Sequence, residues 1–310
     1  MKHCTTLIGL LALSIAVVAS AAQPRPAEPS AEVIARITAA APDKATVQPA
    51  RPRKVLVFNL CRGFYHDSIP VASKAMEILG QKTGAFTTVV STDIAMFEPQ
   101  TLAQFDAVIL NNTTGEIFTP VLPPDATAEQ RTEAKNQELR LKKSLVDFVS
   151  GGKGLVGIHA ATDCLYKWDE YGRMMGGYFW GHPWNEQVGV KIDDPDHPIN
   201  AAFKGQGFMV ADEIYQFRDP YSREELRVLL SLDVSRTNMT RQGINRKDND
   251  FAVSWVRSYG QGRVFYCSLG HRHDIFWTPA LLQHYLDGIQ FALGDLKADT
   301  TPSAKLSRGK

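Results

Sequence analysis

The sequence is poor in the signatures that usually announce a function. Cysteine is scarce, with four residues in 310. Cys4 precedes the first apolar run, which leaves Cys61, Cys164 and Cys267, too few and too scattered for a disulfide framework. An excess of one charge is missing too. The formal net charge is +1 and no run of like charges occurs, which argues against nucleic acid or an acidic membrane surface as the main partner. No G-x-G-x-x-G or P-loop follows the first strand-like run. Its loop, CRGFYHD, is too bulky to cradle phosphates, so no nucleotide cofactor is expected. The absence of G-x-S-x-G leaves a serine hydrolase poorly supported. The absence of H-E-x-x-H means that any metal would need ligands gathered from separate segments. No internal repeat is visible.

The N-terminus does carry a pattern. Lys2 and His3 precede an apolar run from Leu7 to Val18, and Ala19-Ser20-Ala21 offers small residues for cleavage. This reads as a secretory signal peptide over residues 1–22, which places the mature chain in the periplasm or outside the cell with no transmembrane span. Residues 23–53 are rich in Ala and Pro and read as a disordered linker, with a short helix at Ala31–Ala41. The globular domain is expected over 54–296, followed by a flexible tail over 297–310.

Within that domain, apolar runs bounded by polar residues mark buried strands: Lys54–Leu60, Phe86–Thr92, Phe105–Thr113 and Gly154–Ala160. Helices are expected at Ile69–Thr83 and at Glu129–Ser150. The second has Leu139, Leu145, Val146, Phe148 and Val149 at helical spacing and Gly151-Gly152 as its stop. The alternation implies an α/β fold with a mainly parallel central sheet. The C-terminal half adds antiparallel strands around Val188–Asp194, Asp212–Phe217, Arg227–Asp233, Phe251–Tyr259 and Gly262–Gly270, with Tyr259–Gly262 as a hairpin turn. A last helix runs from Pro279 to Leu293.

In such folds ligands bind beyond the carboxyl ends of the strands. Five of the eight histidines, His66, His159, His182, His271 and His273, fall on that rim. Glu213 adds a carboxylate, and Tyr65 and Asn111 belong to rim segments. Histidine can move protons near neutral pH, and a partly buried Glu can be tuned upward. Two or three His with one Glu also suit a divalent metal such as Zn²⁺, for which His159, His182 and His271 are the candidate ligands. Cys164 lies five residues past His159, where a nucleophile could be presented, although a buried cysteine is the plainer reading. Trp180 and Trp184 flank Gly181-His182-Pro183 in an irregular stretch. Their faces suit the stacking of sugar rings, or else lid and core packing.

Several blocks, in order, carry a family resemblance: GFYHDSI, GIHAATD, YGRMMGGYFWGHPW, DHPI, DEIYQF, RVLLSLD and WVRSYGQGRVFYCSLGH. The chain resembles the ThuA-like family, named for trehalose utilisation, from about Lys54 to Leu296. The resemblance implies a flavodoxin-like three-layer sandwich related to class I glutamine amidotransferases. In that larger group the elbow after the strand reads G-x-C-x-G. Here it reads Gly157-Ile158-His159-Ala160-Ala161, and no Glu follows His271, so amidotransferase chemistry is excluded. The implied role is carbohydrate metabolism, on disaccharides or oxidised (3-keto) sugars.

Together these readings predict a secreted carbohydrate-active enzyme that works by acid/base or metal-assisted hydrolysis, elimination or isomerisation. His159, His271 and Glu213 are the expected catalytic groups, with Asp163 orienting them. His66, Tyr65, Asn111, His182, Trp180 and Trp184 are the expected substrate contacts. The alternative is a non-catalytic module that binds a sugar or a protein partner. A homo-oligomer is compatible with either.

Overall fold

The computed structural model describes residues 28–306. The expected signal peptide lies outside the described residues. Along the chain the elements are α1 (Ala31–Ala40), β1 (Lys54–Phe58), α2 (Ile69–Thr83), β2 (Thr87–Ser91), α3 (Pro99–Leu102), β3 (Ala107–Asn111), α4 (Ala128–Ser150), β4 (Gly154–Ile158), α5 (Asp169–Met175), β5 (Tyr178–Phe179), β6 (Trp184–Ile192), β7 (Phe208–Ile214), β8 (Phe217–Arg218), β9 (Arg227–Leu232), β10 (Ala252–Tyr259), β11 (Gly262–Cys267) and α6 (Pro279–Leu293).

One nine-stranded sheet has the order β2-β1-β3-β4-β11-β10-β9-β6-β7. The five strands from β2 to β11 are parallel. The remaining four alternate in direction. The inner parallel strands β1, β3, β4 and β11 are apolar on both faces because both faces are covered, whereas the edge strand β2 is partly exposed. Val55, Val57, Ile109, Val156 and Phe265 pack with the α2 and α6 side. Leu56, Phe58, Val108, Leu110, Leu155 and Val264 pack with the α3, α4 and α5 side. The result is the three-layer α/β sandwich that the alternating pattern implied.

Local chemistry sets the helix ends. Pro70 stands in the first turn of α2, and Gly84 closes that helix at φ 68°. Thr127 and Gln130 form a capping box that opens α4. On α4 the inward residues are Leu141, Ser144, Leu145, Phe148 and Val149. Leu139, expected in the apolar stripe, points outward and is 55% exposed. A stripe one turn wide cannot hold both Leu139 and Leu141.

The N-terminal segment differs from the disordered linker expected over 23–53. From residue 28 it is docked. Ile37 is buried in the core beneath α1. Thr46 donates to Asp287, and Val47 exchanges hydrogen bonds with the Gln290 side chain. Arg53 forms a two-pronged pair with Asp295, and Arg51 pairs with Asp106. Ala/Pro-rich composition misled because a few anchors, not the average residue, fix the segment. The expected tail over 297–310 is likewise docked as far as 306. Ser303 donates its amide to Leu226 and accepts from the Val228 amide on β9. Among the described residues no helix is long and apolar enough to cross a membrane.

The Arg53–Asp295 pair is largely shielded, with side chains 12% and 4% exposed. Removing Arg53 strands a buried carboxylate, which costs about 3–5 kcal/mol. The exposed Arg36–Glu32 pair contributes less than about 1 kcal/mol. Urea unfolding of Arg53→Ala and Arg36→Ala should show that gap, and equal effects would show that residues 28–53 are not held as described.

Candidate functional site

Five chain segments converge beyond the carboxyl ends of the parallel strands: the loop after β1, the ends of β3, β4 and β11, and the far end of the β6–β7 ribbon. The ribbon reaches them because of how β6 is shared. Its last residues, Val190–Ile192, pair with β9, while Trp184–Val190 pair with β7. The β6–β7 ribbon therefore overshoots the sheet and carries Glu213 back to the strand ends.

His159 is the first residue after β4 and adopts φ 45°, a left-handed conformation that costs a non-glycine residue and persists only where neighbours enforce it. Here the Tyr266 hydroxyl donates to the His159 carbonyl at 2.6 Å. The turn after β11 closes over it. A Cβ added at Gly270 would lie 3.0 Å from the Ile158 Cγ2 and 3.2 Å from the His159 Cβ, so a side chain there would push against His159. Ser68 donates to the Gly270 carbonyl at 2.8 Å. Asp212, fully buried, accepts the amides of Gly270 at 2.7 Å and Arg272 at 2.9 Å. That turn is thereby fixed, and it delivers His271.

The ring centroids of His66, His159 and His271 lie 5.0–5.4 Å apart. Glu213 stands between them. Its Oε2 is 3.4 Å from His159 Nε2 and 3.4 Å from His271 Nδ1, and its Oε1 is 3.2 Å from His182 Nδ1. His159 Nδ1 is 2.6 Å from the Ser268 carbonyl. A carbonyl only accepts, so Nδ1 carries a hydrogen, and whenever the ring is neutral its Nε2 lone pair faces Glu213. At 3.4 Å these contacts are longer than charge-assisted hydrogen bonds. His66 Nδ1, His159 Nε2 and His271 Nδ1 are buried without a hydrogen-bond partner.

Burial and the charges of His159 and His271 pull the His66 imidazole down to about 3. Burial acts to raise the Glu213 carboxyl, but its contacts with His159 and His271 outweigh that and hold it well below the usual carboxylate range. The Glu213 contact raises His271. Burial raises Asp163, although Tyr166 donates to it at 2.5 Å.

One ligand atom from each of His66, His159, Glu213 and His271 lies within 4.8 Å of the others. A tetrahedral zinc site with bonds of about 2.0–2.1 Å has ligand–ligand edges of about 3.3 Å, close to the two contacts of 3.4 Å. Three unpartnered imidazole nitrogens around one carboxylate fit a divalent cation. The ligand set differs from the expected His159, His182 and His271. His66 takes the place of His182, which is half exposed and touches the other oxygen of Glu213.

The other expected residues fall unevenly. Trp184 is fully buried, donates to the Asn238 carbonyl and packs edge-on against Phe251; it cannot stack on a sugar. Asn111 is also fully buried, bound to Asn59, Ser73 and the Ile69 carbonyl, so it braces the strand ends and is closed to a ligand. Tyr65 and Trp180 are exposed, as is Phe64, whose ring meets His66 edge-on. His273 pairs with Asp67 at 3.3 Å, beside the cluster. Two residues went unremarked. Tyr215 packs on His159 with centroids 4.2 Å apart, and Asp212 holds the His271 turn. Both flank Glu213 in the DEIYQF block.

Cys164 is fully buried against Thr113 and Tyr171, and burial pushes its thiol up to about 12. Cys61 and Cys267 are raised likewise, to about 11 and about 12. Neither a thiolate nor an open path is offered to a substrate. A thiol reagent should therefore leave Cys61, Cys164 and Cys267 unmodified in native protein and label all three in denaturant. Rapid native labelling of Cys164 would restore the covalent reading.

Solved structures share this architecture. A ThuA-like protein from Bacteroides uniformis is 21% identical over 83% of this chain and 98% of that one, with a TM-score of 0.60. A ThuA-like protein from Parabacteroides merdae is 16% identical over 81% and 93%, with a TM-score of 0.53. At such identities they speak to the fold. No curated protein matches the chain. The family model described as trehalose utilisation matches residues 54–292, and on that match the chain belongs to the ThuA family.

Proposed function

We propose that the chain is an enzyme that performs metal-assisted acid/base chemistry on a sugar derivative. The supporting observation is the convergence of three buried, unpartnered imidazole nitrogens on Glu213. The family's description, trehalose utilisation, supports a carbohydrate as substrate, and a disaccharide or its oxidised (3-keto) form is our proposal within that class. His66, His159, His271 and Glu213 would hold the cation. Bound there, a divalent metal supplies Lewis-acid polarisation of a sugar carbonyl or hydroxyl oxygen.

The chain's own residues do the rest. His182 is half exposed and contacts Glu213 through Nδ1. It stands at the mouth, where it can pass a proton between substrate and solvent. Asp163, raised by burial and held by the Tyr166 hydroxyl, is a further carboxyl for proton transfer. Tyr215 excludes water from one face of His159 and fixes its ring. Exposed Phe64, Tyr65 and Trp180 offer flat apolar faces to a sugar. The buried thiols offer no nucleophile, which favours hydrolysis, elimination or isomerisation without a cysteine-linked intermediate. We propose that this chemistry takes place outside the cytoplasm, on the strength of the signal-like N-terminus.

A panel of disaccharides and 3-keto disaccharides, assayed with Zn²⁺ or Mn²⁺ and with a chelator, tests the reading. Turnover should need metal, and His159→Ala should lower it by at least ~10²-fold while sugar still binds. Sugar binding with no turnover under any metal condition would instead make the chain a binding module.

A further inference from the structure

The turn that delivers His271 also sets the next side chain. Asp212 fixes the Arg272 amide, and the Arg272 guanidinium crosses to β6, where Nη2 donates to Asn185 Oδ1 at 2.8 Å. Asn185 is the direct cross-strand partner of Glu213. Arg272 therefore lies at the mouth of the His–Glu cluster, beside both His271 and the strand that carries Glu213. It is exposed, as is Asn185.

The way Arg272 is held matters. Its anchor is a neutral amide, which orients the guanidinium without neutralising it. The Asp212 carboxylate is taken up by the Gly270 and Arg272 amides, Asp67 pairs with His273, and Glu213 faces the three imidazoles. Among the described residues no carboxylate lies within ion-pair distance of Arg272, whereas Arg53, Arg223, Arg227 and Arg246 each have two. An arginine presents five donors in a rigid fork, and those not used by Asn185 stay available to a planar or tetrahedral oxyanion. Charge favours the same ligand. A divalent cation held by neutral imidazoles and one carboxylate would leave a positive charge within its own ligand set, and Arg272 adds a second at the rim.

We infer that Arg272 forms an oxyanion subsite, so that the sugar taken by this pocket carries a carboxylate or phosphate group on the part reaching towards β6. This rests on the sugar-enzyme reading above and narrows its substrate class to sugars that also carry an acidic group. The anion would accept from the Arg272 fork while the sugar's hydroxyl or carbonyl oxygens face the imidazole cluster.

Calorimetric titration of the Zn²⁺-loaded full chain with glucuronate, glucose 6-phosphate and glucose tests it. At least one anionic probe should bind about tenfold more tightly than glucose, the scale of a charge-assisted hydrogen bond, and the preference should weaken with salt. Preference for glucuronate assigns a carboxylate, and preference for glucose 6-phosphate assigns a phosphate. Arg272→Ala should lose the preference. Arg272→Lys, which keeps the charge but not the fork, should keep part of it and guards against a folding artefact. Glucose bound as tightly as both anions, or a preference surviving in Arg272→Ala, overturns the subsite alone. If no sugar of either kind binds, the subsite and the sugar reading fall together.

Discussion

A carboxylate and two imidazoles, all largely withdrawn from water, face one another across 3.4 Å in this protein. Much of the architecture is arranged around that contact. Two acceptors cannot face one another in a low-dielectric interior without a proton or a cation between them. The Ser268 carbonyl commits the hydrogen of His159 to Nδ1, which leaves Nε2 as the acceptor. The left-handed backbone at His159, the glycine that lets the β11 turn close over it, and the fully buried Asp212 all serve to hold these groups together. Each carries a cost, in backbone strain or desolvation, that stabilises nothing by itself. Such costs concentrate where a ligand is to be bound.

The histidine that follows β4 decides what the strand-to-turn elbow can do. A side chain presented by a tight turn at the end of a buried parallel strand is rigid, and its position is set by the sheet. A thiol there would attack a substrate; an imidazole there can coordinate or transfer a proton. Cys164, five residues further on, has rotated into the core between Thr113 and Tyr171. Elbow geometry and nucleophile chemistry are thus separable in this chain.

The layered sheet could be read from the sequence because its determinants are local: runs such as KVLVF, helix stops such as Gly84 and Gly151, and the Tyr259–Gly262 turn. The site was legible to the extent that strand ends announce a rim, which marked His66, His159, Glu213 and His271 as candidates. What could not be read was direction. Trp184 and Trp180 share one stretch, yet the first opens β6 and points inward while the second is exposed, and the irregular chain between β5 and β6, turned at Gly181, separates them. Asn111 ends a buried strand and turns into the bracing network beneath the rim. His66 joins the cluster through the loop after β1, whose path depends on Ser68 reaching Gly270 across the fold. The docked segment from 28 to 53 was missed for a similar reason, since its anchors, Asp287, Gln290 and Asp295, lie some 240 residues away.

Anomalous diffraction from crystals grown with Zn²⁺ or Mn²⁺, collected above and below the metal edge, addresses the metal reading directly. The account predicts one peak enclosed by His66, His159, His271 and Glu213, about 2.0–2.2 Å from their ligating atoms if the metal is zinc. A cluster that stays free of metal at saturating concentration, closed instead by a proton or water between Glu213 and the imidazoles, would contradict it.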